Sequence, residues 1–134
     1  MITPQYFIVG VFPVKFVRTP GGGLAALELD LATGMFVPNL DRYFQVIEAR
    51  DGVKSLTADE FIQRVESIRS RVVTDDSPVA AVYKLIVGIE DVAMEESRPL
   101  RPDEEALIAE LRRQSHALFE AEHPIRLAEI EEKP

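Results

Sequence analysis

The stretch that most constrains this chain is Leu56-Thr57-Ala58-Asp59-Glu60-Phe61. Thr57 and Glu60 have the spacing of a capping box, in which a hydroxyl accepts from the amide three residues on while the glutamate reaches back. Leu56 and Phe61 take the flanking positions of a hydrophobic staple. Phe61, Val65, Ile68 and Val72 follow at i, i+4, i+7 and i+11, one apolar stripe down one helix face. A helix therefore starts at Thr57 and offers one face to a layer made elsewhere. Arg64, Arg69 and Arg71 fall off that stripe and read as a solvated face.

The residues before the helix supply the layer. Tyr6 to Arg18 is rich in Phe, Val and Ile, which favour pleated positions, with Pro13 marking an edge, bulge or break. Thr19-Pro20-Gly21-Gly22-Gly23 is a turn. Leu24 to Leu31 admits helix or strand, because Leu24, Leu27 and Leu31 have helical spacing while Leu27, Leu29 and Leu31 alternate with acids. Glycine turns on both sides favour a strand. Ala32-Thr33-Gly34 then turns into Met35-Phe36-Val37, and a last strand is expected from Tyr43 to Ala49, ending at Asp51-Gly52. The glycine triplet lacks the preceding strand, following helix and Lys-Ser/Thr pair of a phosphate loop, so it reads as a flexible hairpin.

A second helical part follows Thr74-Asp75-Asp76-Ser77-Pro78, where Ser77 can cap and Pro78 suits the first helical position. Val79, Val82, Tyr83, Ile86, Ile89 and Ala93 recur at three and four, and Leu85 and Val87 add apolar surface elsewhere. A buried strand over Val79 to Ile89 is the competing reading; the Ser-Pro start and the length favour helix. Pro102 opens a further helix, with Asp103, Glu104 and Glu105 in its first turn, where negative charge suits the helix dipole. Leu107, Ile108, Leu111, Leu118 and Phe119 form its apolar face, Pro124 ends it near Glu122, and Ile125, Leu127 and Ile130 suggest a short turn before a frayed end. The expectation is one α+β domain over 1–134: an antiparallel meander of three or four strands packed by one helix in 1–72, then two helices in an acidic part, 73–134.

Charge sharpens that division. Residues 1–72 hold 8 Lys+Arg against 8 Asp+Glu, whereas 73–134 hold 7 against 15 and carry the whole net charge of −8. An acidic working face is therefore expected within 75–132, with charge reversals before residue 73 mattering little. An acidic domain meets repulsion from a phosphate backbone, which argues against nucleic acid. No apolar run reaches the roughly 20 residues of a membrane span. Met1-Ile2-Thr3-Pro4-Gln5 lacks the basic start of a secretory leader, so a complete cytoplasmic protein is expected. With 134 residues the chain can bury a core without staples, and with no Cys it has no thiolate metal site, disulfide or thiol nucleophile.

Candidates for chemistry are few. The nucleophile elbow, Walker loop, dinucleotide fingerprint and His-Glu-x-x-His are all absent. His116, Glu120 and His123 fall at i, i+4 and i+7, competent zinc or iron ligands on a continuous helix. The simpler reading makes His116 a surface residue paired with Glu120, and His123 a helix-end residue. Asp75-Asp76 is a carboxylate pair that reads first as a turn and cap, Lys84 beside Tyr83 sits in an apolar stretch from which its stem can reach solvent, and Arg112-Arg113 reads as a solvated face. The glycine loop, the Asp30-x-x-Thr33-Gly34 turn and the Thr57-x-x-Glu60-Phe61 start resemble the layout of many small bacterial proteins, and as generic signals they single out no family.

Three functions are compatible with this. The preferred one is a non-enzymatic interaction module, needing no cofactor and forming homo-oligomers, because the apolar content of 79–94 exceeds what a small core can cover. The others are an acidic inhibitor, antitoxin or immunity-type protein that meets a basic protein through its C-terminal half, and a small enzyme or ligand carrier with an apolar pocket.

Overall fold

A computed structural model of the chain describes residues 3–130. Four strands run as a meander: β1 (Gln5–Val9), β2 (Phe12–Arg18), β3 (Leu24–Leu29) and β4 (Phe36–Pro38). After them come α1 (Leu40–Ile47), β5 (Val53–Leu56), α2 (Ala58–Val72), α3 (Pro78–Glu95), α4 (Pro102–Glu122) and a 3-10 turn at Leu127–Glu129. The strands form one antiparallel sheet in the order β4-β3-β2-β1-β5. The fold is α+β, with the sheet in the first part and α3 and α4 in the second; α1 interrupts the strands before β5, so the described residues up to 72 hold five strands and two helices in place of the expected meander and single helix. The segment 24–29 is strand, and 79–94 lies within a helix. The end expected beyond Ile130 lies outside the described residues.

Two local expectations are corrected. Tyr6 to Arg18 breaks at Gly10-Val11, not at Pro13. Gly10 takes φ +63 at the first position of a two-residue hairpin, where glycine carries no steric cost. Pro13 stays inside β2 opposite Ile8, one residue outside the β2–β3 ladder that starts at Val14, so its missing amide leaves no rung of that ladder unmade. The strand expected over Tyr43 to Ala49 is the helix α1. Its start is Asn39, whose side chain accepts from the Asp41 amide at 3.1 Å, and its apolar positions begin at Leu40 and recur at Tyr43, Phe44 and Ile47. Read from Tyr43 onward, that helical period is cut short. The fifth strand instead follows the Asp51-Gly52 turn and pairs with β1.

The register assigns the two sheet faces. Phe7, Val9, Val14, Phe16 and Ala26 share one face and form a core cluster covered by Tyr43 and Val46 of α1. An ion pair of Arg42 with Glu28 at 2.6 Å fastens α1 to β3. Tyr6, Leu27, Leu29, Phe36 and Leu56 face the other way, against Phe61 and Val65 of α2. The capping box is formed as expected: Glu60 N donates to Thr57 Oγ1 at 3.1 Å, and Thr57 N donates to Glu60 Oε1 at 2.9 Å. A third cluster, Val79, Tyr83, Ile86, Ile108 and Phe119, joins α3 to α4. α2 thus packs on the sheet with one face and on α3 and α4 with another. Among the described residues no helix is long and apolar enough to cross a membrane.

Candidate functional site: a buried ion cluster, a seam cleft and an exposed helix face

The second buried face of α2 carries charge. Glu66 and Arg69 are both fully buried, so Arg69 does not belong to the solvated face expected of it. The two are an i, i+3 ion pair, Arg69 Nη1 donating to Glu66 Oε2 at 2.9 Å. Tyr83 Oη on α3 donates to Glu66 Oε1 at 2.7 Å, and Ser115 Oγ on α4 donates to the same oxygen at 2.6 Å. His116 Nδ1 lies 3.2 Å from Glu66 Oε2. An ionised carboxylate only accepts, so this contact puts the proton on Nδ1.

Arg69 holds the other side of the cluster. Its Nε donates to the Gly34 carbonyl at 2.8 Å, its Nη2 donates to Glu120 Oε1 at 3.1 Å, and its guanidinium lies 3.7 Å from the centre of the Phe119 ring. Lys15, the one charged residue that β2 turns toward the helices, ends 4.0 Å from Glu120 Oε1 and 4.3 Å from the centre of the Phe36 ring. Gly34 is where backbone meets this packing: it takes φ +77, and a Cβ there would stand 3.0 Å from Arg69 Cγ. Two cations, Lys15 and Arg69, face two anions, Glu66 and Glu120, so the cluster is neutral when His116 is neutral.

Electrostatics follow from this geometry. Burial by itself pushes the Glu66 carboxyl up, but hydrogen bonds from His116, the Arg69 charge, and the Ser115 and Tyr83 hydroxyls outweigh it and hold Glu66 below the ordinary glutamate value. Burial, with the Glu66 charge beside it, pushes the Tyr83 phenol up, which keeps it a donor. Burial pulls the Lys15 ammonium down, with Glu120 opposing. No buried polar atom of Glu66, Arg69, Tyr83 or Ser115 lacks a partner. The cluster satisfies itself, the condition under which a buried network rigidifies a core.

Beside the cluster, at the seam of sheet and helices, lies a cleft of about 280 Å³ lined by Phe36, Arg69, Phe119, Glu120, His123 and Ile125.

The residues singled out from sequence distribute as follows. His116 and Glu120 come together, Nε2 to Oε1 at 4.0 Å, but His116 is largely enclosed, because Glu66 draws it in. His123 lies past the end of α4, its ring tilted against Phe119 with the ring centres 4.6 Å apart. Among the described residues no three His, Asp or Glu side chains are placed to hold a metal ion. Asp75 accepts from the Ser77 amide at 3.0 Å, and its bonds to Ser77 lower its pKa, as a turn residue. Lys84 is exposed, and among the described residues the largely enclosed lysine is Lys15. Arg113 is exposed and pairs with Asp59 at 2.9 Å. Arg112 differs from a solvated residue, since its Nε is buried.

The charge division at residue 72 does not survive folding either. Arg71 pairs with Glu90 and Asp91, and Arg69 with Glu120, so cations of the first part sit on anions of the second. Charge reversal at Arg69 would place a third anion against Glu66 and Glu120, contrary to the expectation that such changes are harmless. Sequence reasoning missed Lys15, Glu66 and Arg69. The available signal was polar residues on apolar stripes: Ser115 falls in line with Ile108, Leu111, Leu118 and Phe119.

A last feature is on α3. Val79, Ala80, Tyr83, Ile86 and Ala93 are buried, whereas Leu85 is 59% and Val92 45% exposed. Gly88 lies between them, exposed, with nothing within 4 Å of the position its Cβ would take. No family model, curated protein or solved structure matches this chain.

Proposed function

We propose that this protein is a non-enzymatic interaction module that self-associates through the outer face of α3. The observation that carries the reading is the exposed line Leu85, Gly88 and Val92 at i, i+3 and i+7. A glycine inside a helix costs about 1 kcal/mol relative to alanine, and among the described residues nothing packs within 4 Å of the place a Cβ on Gly88 would take. A second helix crossing at Gly88 needs that room.

The occupant that fits is another copy of α3 running antiparallel about a two-fold axis at Gly88. Leu85 then meets Val92 of the second copy, and Lys84 comes within a turn of Asp91 of the second copy. The symmetry makes each contact twice, as an isologous interface requires. The non-enzymatic part of the reading is supported by the ion cluster, whose buried groups Glu66, Arg69, Tyr83 and Ser115 are hydrogen-bonded to one another.

Sedimentation equilibrium over a concentration series tests this. The wild type is expected at twice the 15.0 kDa of one chain, with Gly88→Leu at the single mass and with an unchanged circular dichroism spectrum. A wild type that stays at one chain mass throughout, or a Gly88→Leu variant that dimerises as the wild type does, overturns the proposal.

A further inference from the structure

A second surface, between β5 and the first turns of α2, has the chemistry of a binding groove. β5 is an edge strand. The Gly10 amide donates to the Gly52 carbonyl at 2.9 Å, which fixes the parity of the β1–β5 ladder. Residues 52, 54 and 56 bond toward β1, so the amides and carbonyls of Val53 and Ser55 point to the open edge. Lys54 and Leu56 turn their side chains to the face covered by α2. There they line a groove of about 560 Å³ with Asp59, Gln63 and Arg64 of α2 and Arg112 of α4.

Charge in this groove is unevenly satisfied. Its anions are engaged: Asp59 accepts both nitrogens of the Arg113 fork at 2.9 and 3.2 Å, and Glu60 closes the capping box. Its cations are engaged only in part. Lys54 acts on Glu60 only through its field, and neither Lys54 nor Arg64 forms an ion pair with any described residue. Arg112 reaches Glu90 of α3 at 3.5 Å and Gln63 at 3.4 Å, which leaves its buried Nε without a hydrogen-bond partner among the described residues. A chain of net charge −8 thus carries an under-satisfied basic groove beside a free strand edge.

We infer that the β5 edge and its groove bind an extended acidic peptide segment by strand addition. Backbone pairing with Val53 and Ser55 supplies the register, and alternate side chains of the added strand point into the groove, where carboxylates meet Lys54, Arg64 and Arg112. A lysine on an edge strand repels a basic strand and leaves a neutral one with its charge desolvated. An acidic strand is the one it attracts. This surface is separate from the α3 face, and each can stand without the other.

The test uses the full chain and a fluorescein-labelled, end-blocked hexapeptide alternating Val and Glu, followed by fluorescence anisotropy. Saturable binding is expected, weakened by salt and lowered about tenfold or more in Arg64→Glu, with the Lys54→Glu/Arg64→Glu variant binding a matching hexapeptide that alternates Val and Lys instead. Amide hydrogen exchange at Val53 and Ser55 is expected to slow on binding. No anisotropy change up to about 1 mM peptide at low salt overturns the inference. So does a peptide N-methylated on alternate residues that binds as tightly as the parent, because charge alone would then account for it. Unchanged affinity in Arg64→Glu, with its melting temperature intact, overturns it equally.

Discussion

Replacing Arg69 with Met keeps an apolar side chain of similar length and removes the charge. The structure sets the size of the effect. Arg69 is fully buried and makes three hydrogen bonds, to the Gly34 carbonyl, Glu66 and Glu120, and its guanidinium covers Phe119. Its loss leaves Glu66 with donors from Tyr83, Ser115 and His116 but no permanent countercharge. Removing one member of a buried ion pair costs about 3–5 kcal/mol. A domain of this size has roughly 5–15 kcal/mol in total, so Arg69→Met should remain folded but lose a large part of its stability. The corresponding fall in melting temperature is on the order of 10–18 °C. Urea unfolding followed by circular dichroism measures it, and Glu66→Gln in the same background completes a double-mutant cycle. The amide oxygen that Glu66→Gln introduces can still accept from Tyr83 and Ser115, so the double variant should be less unstable than the two single losses summed, by more than about 1 kcal/mol. An Arg69→Met variant within about 1 kcal/mol of wild type, or strict additivity, would refute the claim that the ion cluster holds the helices together.

Two further outcomes follow from the same region. Gly34→Ala should cost about 1–3 kcal/mol in urea unfolding, because its φ of +77 and the 3.0 Å approach to Arg69 Cγ both oppose a side chain. Acid titration should show a Glu66-dependent loss. The folded-state pKa of Glu66 is depressed, so its stabilisation is complete above the unfolded glutamate value and disappears as pH falls through the folded one. The acid limb of the stability profile should therefore be flatter in Glu66→Gln than in wild type; parallel limbs would argue against it.

Local signals are legible where the deciding contacts are local. The start of α2 is written in Thr57 and Glu60, three residues apart, and that of α3 in Ser77-Pro78, so both can be read directly. α1 is harder to read because its cap, Asn39, lies outside the apolar run that holds Tyr43, Val46 and Ile47. The candidate site is largely hidden for a different reason. A buried Glu66 or Arg69 is tolerable only with partners, and those partners, Ser115, His116 and Glu120, are 49 to 51 residues away on α4. His116 and Glu120 can be read as an i, i+4 pair. That the pair closes onto α2 depends on three-helix packing, which no local period records.

The ion cluster also bears on how the protein comes apart. Its charges and hydroxyls come from β2, α2, α3 and α4. Detaching any one of these elements exposes part of the set and strands the rest in an apolar interior. Partial opening is then nearly as costly as complete unfolding, so the sheet and the helices should melt as one cooperative unit. The short segment between α2 and α3 is consequently a connection in the chain and not a line along which the molecule can be divided: a fragment ending at Val72 would retain Glu66 and Arg69 with most of their partners gone.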